Sequence, residues 1–496
     1  MTEHWIDGAV TPGTSGRSGD VVDPATGTVT SRVAFADPAD LDRAVASAAE
    51  AAEHWAALSV ARRTAVLFSF RELLRTRADE LVDIVVSEHG KVRSDAAGEV
   101  QRALENVEYA CGLPSLLKSD FSANVSTGVD VHSMRQPVGV VGVISPFNFP
   151  VMVPMWFMAV AIACGNAVVL KPSEKDPSAS NFMARLWQEA GLPDGVLNVV
   201  HGDKVAVDAL LAHPRVDAIS FVGSTPVARY VYETAARHGK RVQALGGAKN
   251  HMLVLPDADL DQAADAAVSA GFGSAGERCM AVSVVVAAEP IADRLVATIA
   301  DRMSQLTVGD GRRPDSDMGP LVTQAHRDRV ESYVRAGASE GATLVVDGRG
   351  QTVNGEAGGF WLGPTLFDGV DEKMSIYTDE IFGPVLSVVR VDGLDEGLSL
   401  INRNAYGNGA AIFTRDGGAA RRFSEAVQAG MVGVNVPIPV PVAHYSFGGW
   451  KGSLFGDVHA YGPEGVHFFT RNKVITSRWP GTLSEGLNMA FPSTAE

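Results

Sequence analysis

Residues Val138–Leu170 read VGVVGVISPFNFPVMVPMWFMAVAIACGNAVVL, without one charged side chain. Length and apolarity alone would admit a membrane span. The helix breakers argue otherwise: Pro146, Pro150 and Pro154 interrupt the front of the stretch, and Gly165-Asn166 interrupts the back. What is left is a β-branched run at Val138–Ile144, a loop, a short apolar helix around Met155–Cys164 and a second run at Ala167–Leu170. Strand, buried helix and strand in that order form the crossover unit of a parallel sheet covered on both faces.

Reading outward, the alternation continues. Runs at Val196–Val200, Ala218–Val222, Val242–Leu245 and Met252–Leu255 are separated by amphipathic helices; Gly191 and Pro193 stop the one at Ala179–Ala190, and Pro214 ends another after His213. A second α/β series is expected from about Ala281, with Val282–Ala287, a helix over Ile291–Leu306, Val385–Val391, Ala410–Phe413, a helix over Ala419–Ala429, and Val432–Val436. Upstream, Asp40 to Leu117 carries apolar residues at helical spacing (Leu41, Ala44, Val45, Ala48; Leu81, Ile84, Val85), which predicts a packed helical layer. The expected fold is α/β, with two doubly wound, Rossmann-like lobes. Ser122–Met134 and the tail from Gly465 through Arg478 fit neither lobe. Their alternating strand formers (Val129, Val131; Val466, Phe468; Val474, Thr476) predict a small antiparallel flap, a ribbon of the kind another subunit covers.

Composition narrows the function classes. In 496 residues, 46% hydrophobic against 20% charged content supplies a large core and excludes disorder as the main state. The net charge of −16 makes nucleic acid and anionic membranes poor partners. Cys111, Cys164 and Cys279 are too few and too scattered for a disulfide framework, and Met1–Asp7 has no targeting pattern, so a reducing, cytoplasmic setting is expected. There is no G-x-x-x-x-G-K-[ST], no HExxH and no Cys/His cluster, so no metal is expected. Asn124-Val-Ser126 matches a glycosylation acceptor by coincidence.

Of the three cysteines, Cys111 and Cys164 sit in helical, apolar surroundings and read as small hydrophobes. Cys279 follows the glycine-rich Gly271-Phe-Gly-Ser-Ala-Gly276 and directly succeeds Arg278, whose charge would favour a thiolate. Five further islands accompany it: Ser145-Pro-Phe-Asn148-Phe-Pro150, Leu170-Lys171-Pro-Ser-Glu174, Phe221-Val-Gly223-Ser224-Thr225, Glu380-Ile-Phe382-Gly-Pro384 and Phe447-Gly-Gly-Trp-Lys451. In this order and separation, from about residue 20 to 478, the chain resembles the aldehyde dehydrogenase superfamily. Ala248-Lys-Asn-His251, Glu277-Arg-Cys279-Met-Ala and the tail Gly462–Trp479 are most similar to its CoA-acylating methylmalonate-semialdehyde dehydrogenases.

The resemblance implies an NAD-binding domain over 1–120 and 138–248, a catalytic domain over 249–445, an oligomerisation flap over 121–137 and 463–490, and a homotetramer. Cys279 would be the nucleophile. Asn148, otherwise an ordinary loop former, would hold the oxyanion with the Cys279 N–H as second donor. NAD would be bound by Phe147, Lys171, Glu174, Gly223, Ser224, Glu380 and Phe382. Lys171 and Glu174 lie just past a strand end, where Glu174 can accept ribose hydroxyls, and Gly223-Ser224 precede a helix whose N-terminus can face the pyrophosphate. Ala228 stands where a further glycine would be expected in that loop. Glu380 and Phe382 would position the nicotinamide ribose and ring; the bland alternatives are a surface glutamate and a core phenylalanine.

One departure is informative. Hydrolytic relatives carry a glutamate within the segment that here reads Gln243-Ala-Leu-Gly-Gly247, and neither Ala244 nor Leu245 can take a proton. Coenzyme A is therefore the expected acyl acceptor. Glu277 is the competing base, with a structural or averted side chain as the more expected role. Arg102, which as a helix arginine would otherwise be a solvated face residue, and Arg278 are expected to clamp a substrate carboxylate. The expected function is NAD-dependent, CoA-acylating oxidation of malonate or methylmalonate semialdehyde to acetyl-CoA or propionyl-CoA with loss of carbon dioxide. The alternatives are a hydrolytic semialdehyde dehydrogenase, acting on succinate semialdehyde for example, and an inactive structural relative, against which intact Cys279, Asn148, Lys171 and Glu380 argue.

Overall fold

The computed structural model describes residues 1–353 and 358–479. The charge-free stretch forms a strand at Val140–Ile144, a helix at Met152–Cys164 with every residue buried, and a strand at Ala167–Lys171. Gly165 ends the helix at φ 101°, a left-handed conformation that glycine adopts without a Cβ penalty. Asn166 then fastens three segments together. Its Oδ1 accepts the N–H groups of Val138 at 2.8 Å and Gly139 at 3.0 Å, and its Nδ2 donates to the carbonyls of Ala161 at 2.9 Å and Phe469 at 3.0 Å. Among the described residues, no helix is long and apolar enough to cross a membrane.

The first sheet has five parallel strands in the order Leu197–Val199, Ala167–Lys171, Val140–Ile144, Ala218–Val222, Arg241–Leu245. The chain starts at the centre, winds to one side and returns to the other, so a crevice opens beyond the strand ends at Ile144 and Val222, where the winding reverses. Antiparallel strands close both edges: His4–Ile6 beside Leu197–Val199 and Leu454–Phe455 beside Arg241–Leu245.

The second sheet is also doubly wound, in the order Thr343–Val346, Thr365–Asp368, Val385–Val391, Val282–Ala288, Asn250–Val254, Gly409–Phe413, Met431–Val434, parallel except at the first of these. This corrects the sequence reading in one respect. The run expected as Met252–Leu255 in the first series is the strand Asn250–Val254 at the centre of the second sheet, so the second series begins there and not near Ala281. No helix intervenes between Leu245 and Asn250, and the hydrophobic pattern of a doubly buried strand does not say which sheet it joins.

The flap consists of Phe121–Ser126, Val129–Pro137 and Thr470–Arg478; the last two pair antiparallel from Thr470 opposite Pro137 to Arg478 opposite Val129. Val466 and Phe468, expected in the ribbon, instead lie buried on a helix, Gly462–Phe468, with Pro463 in its first turn. Positions 480–490 of the expected flap lie outside the described residues. Phe121 and Val474 are exposed on it.

Replacing Asn166 removes both acceptor and donor roles at a fully buried position. Asn166→Ala should lower stability by about 1–3 kcal/mol, because the Gly139 N–H loses its acceptor, whereas the Val138 N–H and the Ala161 and Phe469 carbonyls keep only the backbone bonds they also make. The check is the midpoint of urea unfolding, which should fall with an unchanged slope.

Candidate active site

The strand ends of the first sheet face the strand starts of the second, and the predicted residues sit along that seam. Asn148, Lys171, Glu174, Gly223, Ser224 and Leu245 follow or end strands of the first sheet, whereas Cys279 and Glu380 precede strands of the second. The seam is tight enough to demand glycine. A Cβ on Gly276 would lie 2.3 Å from the Gly383 carbonyl oxygen, and one on Gly247 would lie 2.2 Å from Glu380 Oε2.

The Cys279 loop is bent. After the helix Leu260–Phe272, the residues Ser274 (φ 52°), Ala275 (φ 52°) and Gly276 (φ 72°) all take left-handed backbone, which costs about 1–2 kcal/mol at each of the two non-glycine positions. Side-chain amides hold the result in place. Asn250 Nδ2 and Asn408 Nδ2 both donate to the Cys279 carbonyl, at 2.9 and 3.0 Å, and Asn250 Oδ1 accepts the Gly409 N–H at 3.0 Å. Cys279 keeps partial solvent access. Even so, desolvation, with Glu380 adding to it, pushes its thiol pKa up to about 12, while the N–H groups of Cys279 and Met280 and the Arg278 charge oppose that shift.

Arg278 favours the thiolate as expected, but its contribution is smaller than the burial that raises the thiol. Its guanidinium is ion-paired with Asp95 and lies where a Cβ on Gly273 would otherwise sit. Cys111 and Cys164 are buried and their thiols are also raised by burial, as small core hydrophobes would be.

Asn148 is buried, and its Nδ2 donates to the Glu277 carbonyl at 3.0 Å. That contact uses one amide hydrogen and leaves the second for an oxyanion. Its backbone is held from behind. Lys91 Nζ donates to the Asn148 carbonyl at 2.6 Å and to Glu99 Oε2 at 2.9 Å, and lies 4.4 Å from the centre of the Phe149 ring. Glu99 Oε1 in turn accepts the N–H groups of Val151 at 2.7 Å and Met152 at 3.2 Å, so a buried carboxylate supplies the cap that Val151 cannot give the helix Met152–Cys164. Sequence reasoning missed Lys91, Glu99, Asn250 and Asn408. The Lys91–Glu99 pair joins a loop to a helix face, a spacing with no signature.

On the cofactor side, Lys171 Nζ contacts Glu174 Oε2 at 3.3 Å; burial would raise the Glu174 pKa, but the charges of Lys171 and Lys175 and the hydrogen bonds to the carboxylate together outweigh it and the pKa is lowered. Gly223 and Ser224 lead into the helix Thr225–Arg237. Ser224 makes no side-chain cap and Pro226 has no N–H, so the helix start is left open to an anion. Glu380 Oε1 accepts the Ala248 N–H at 2.8 Å, and burial pushes its pKa up to about 7. Lys249 braces the same loop by donating to the Ile376 and Asp379 carbonyls at 2.7 Å each. Phe382 has φ 58°, and its ring meets Phe147 edge-on at 5.9 Å between centroids. Ammonium, carboxylates, an open helix start and an aromatic pair along one crevice fit the phosphates, ribose hydroxyls and flat ring of a dinucleotide.

On the other side of Cys279 is a cavity of about 350 Å³ lined by Arg102, Phe149, Trp156, Arg278, Ile438, Val440 and Phe447 among others. Both arginines enter it with a carboxylate partner: Arg102 Nη1 lies 2.9 Å from Glu105 Oε2, and Arg278 is held by Asp95. Leu245 belongs to the apolar cluster on which Cys279 packs, and Ala244 to the cluster of Val140, Ile144 and Phe221. Glu277 is fully buried and turned toward Val322 and His326. Lys451 donates to the carbonyls of Asn402 and Asn404, a structural role. Among the described residues, no group of acids, histidines and cysteines is arranged to hold a metal.

The pair behind Asn148 gives a test. Lys91→Met should unfold the protein more easily by about 3–5 kcal/mol, because Glu99 is left charged and alone in the interior. The double variant Lys91→Met/Glu99→Gln should recover much of the stability but not turnover, since nothing then fixes the Asn148 carbonyl. Chemical denaturation and NADH formation, measured on the same preparations, separate the two effects.

The sequence profile of the aldehyde dehydrogenase family matches residues 10–475. A malonate-semialdehyde dehydrogenase of Pseudomonas aeruginosa is 54% identical over 99% of both chains, and one of Halalkalibacterium halodurans is 49% identical over 96% of this chain and 98% of its own. Among solved structures, a Sinorhizobium meliloti protein assigned as a methylmalonate-semialdehyde dehydrogenase and complexed with NAD superposes with a TM-score of 0.96 at 53% identity, covering 97% of this chain and 98% of its own. A methylmalonate-semialdehyde dehydrogenase of Oceanimonas doudoroffii gives 0.95 at 52% identity, covering 96% and 98%. A profile spanning nearly the whole chain, and relatives about half identical along it, establish that the chain belongs to the aldehyde dehydrogenase family.

Proposed function

We propose that the chain oxidises a short semialdehyde bearing a carboxylate, malonate or methylmalonate semialdehyde, with NAD, and transfers the acyl group to coenzyme A. The observation that carries the acyl-transfer reading is the seam itself. At the end of the strand Arg241–Leu245, where a water-activating carboxylate would be needed, stand the apolar Ala244 and Leu245. Glu277, the competing base, is turned into the interior. The two arginines in the cavity and the names of the relatives support a carboxylate-bearing substrate.

In this reading the chain's residues act in sequence. Arg102 and Arg278 take the substrate carboxylate, partly in exchange for Glu105 and Asp95, and bring the aldehyde carbon to Cys279. Cys279 attacks as thiolate; the free amide hydrogen of Asn148 and the Cys279 N–H receive the oxyanion. NAD, when bound, takes up the hydride. Phe147 and Phe382 would hold its ring, Glu174, Glu380 and Lys171 its ribose hydroxyls, and the open helix start after Gly223 and Ser224 its phosphates. The result on the protein is a Cys279 thioester. A carboxylate β to that thioester leaves as carbon dioxide because the thioester carbonyl, still facing its donors, accepts the electron pair, and the resulting enolate takes a proton on carbon from water to give the acetyl or propionyl thioester. The thiol of coenzyme A then displaces acetyl or propionyl. The uncapped flap with exposed Phe121 and Val474 supports a homotetramer, and three unpaired cysteines support a cytoplasmic setting.

The hydrolytic reading retains one specific support, Glu380, which lines the same recess as Cys279. Product and rate decide between them. With malonate semialdehyde, NADH should form in a first-turnover burst and then slowly, and coenzyme A should raise the steady rate by about 10²-fold or more and appear as a thioester. Fast, burst-free NADH formation without coenzyme A, releasing the free acid, would establish the hydrolytic route. The carboxylate clamp is tested separately. Arg102→Leu and Arg278→Leu should each cost about 1.5–3 kcal/mol in kcat/KM for the semialdehyde and much less for propanal. Equal losses on both aldehydes would remove the clamp.

A further inference from the structure

Behind the seam lies a buried group of ionisable side chains that the steps above leave unused. Glu277 Oε1 accepts the Val322 N–H at 3.3 Å and lies 3.5 Å from His326 Nε2. Its other oxygen, Oε2, makes no hydrogen bond and lies 4.0 Å from His89 Nε2. His326 Nε2 contacts the Phe382 carbonyl at 2.7 Å, which places the proton on that nitrogen. His89 is buried with neither ring nitrogen bonded, and its ring stacks on Phe147 at 5.9 Å. The other charged groups facing Glu277 are the ammoniums of Lys91, engaged with Asn148 and Glu99, and Lys175, which lies 4.3 Å from the Phe147 centroid.

Glu277 thus touches every moving part of the chemistry. Its carbonyl orients the Asn148 amide, its side chain lies against the histidine that holds Phe382, and two residues further on is Cys279. Burial pushes its pKa up to about 8, brings that of His326 down to about 4 and holds that of His89 well below its ordinary value. At neutral pH the group is therefore a proton-bearing carboxyl among neutral imidazoles. Above pH 8 it would hold a carboxylate beside an unpartnered oxygen position in the interior, a state that the surroundings disfavour.

We propose that Glu277 is a positioning residue in its proton-bearing form: it sets Asn148 and Cys279 against Phe382 through His326, and its ionisation loosens that setting. This adds to the aldehyde dehydrogenase chemistry and does not rest on the choice of substrate or of acyl acceptor.

The test uses the intact chain, saturating NAD and propanal, and reads the rate of the first-turnover NADH burst, which precedes acyl transfer. In the wild type the burst rate should rise with pH as Cys279 ionises and then fall above about pH 8. Glu277→Gln, which keeps the shape and cannot ionise, should retain the burst within about threefold at pH 7 and continue to rise where the wild type falls. Glu277→Ala should lose about tenfold or more at pH 7, by a margin that narrows above pH 8 where the wild type falls, with NAD binding within about threefold of wild type. If the alanine variant does not fold, the glutamine profile decides alone. A loss of more than about tenfold in Glu277→Gln at pH 7 would overturn the proposal in favour of an ionised Glu277 acting as a base. An alkaline fall of the same size in wild type and Glu277→Gln, or none in the wild type, would also overturn it.

Discussion

The structure depends on one constraint: two sheets meet end to start, and their loops must pass within contact distance at the line where they meet. Gly247, between the last strand of the first sheet and the central strand of the second, meets the Glu380 carboxylate at this line, and within the second sheet Gly276 lets its loop pass against the Gly383 carbonyl, where a Cβ would lie 2.3 Å from the oxygen. Everything with a chemical task hangs from that line. Cys279 is suspended from the second sheet by the amides of Asn250 and Asn408, while Asn148 reaches across from the first sheet and is braced against the same loop through the Glu277 carbonyl. The left-handed run at Ser274–Gly276 is the strain that this meeting requires.

Charge inside the molecule is organised in pairs with distinct purposes. Lys91 and Glu99 are fully buried, and each also satisfies backbone: Lys91 a carbonyl, Glu99 two N–H groups at a helix start. That arrangement makes an otherwise unfavourable buried pair specific, because removing either ion strands the other. Arg102–Glu105 and Arg278–Asp95, by contrast, line a cavity and remain partly exposed. Their partial exposure is what the proposed exchange with a substrate carboxylate needs.

Much of this was legible in the sequence, for reasons that differ from residue to residue. The two-lobed α/β architecture followed from the strand–helix alternation and from the prolines that cut the apolar stretch Val138–Leu170. Cys279 stood out because a glycine-rich loop precedes it, and Asn148 because prolines and phenylalanines hem it in. The assignment of Asn250–Val254 to the second sheet was not legible, since a doubly buried strand carries no alternation to mark its partner. Nor was the helix at Gly462–Phe468, where Val466 and Phe468 are two apart as a strand would have them and yet both are buried on a helix. The partner of Arg278 was hidden for another reason. Adjacency to Cys279 in the chain said nothing of where its side chain points, and Asp95, far away in sequence, captures it. Lys91, Glu99 and Asn408 are contacts of tertiary structure alone.

The knot at Asn166 has a consequence for how this architecture can be rearranged. Its side chain joins the central strand of the first sheet to the Phe469 carbonyl, and Arg241, at the start of the strand Arg241–Leu245, donates to the carbonyls of His467 and Thr470 directly beyond. The flap is therefore not an appendage tied on by its two connecting loops; its root is stitched to two strands of the nucleotide-side sheet. A chimera that exchanges the ribbon between related chains must carry Phe121–Asn166, Arg241 and Gly462–Arg478 as one inherited block, because a boundary drawn inside it cuts the ladder of the ribbon or the hydrogen bonds at its root.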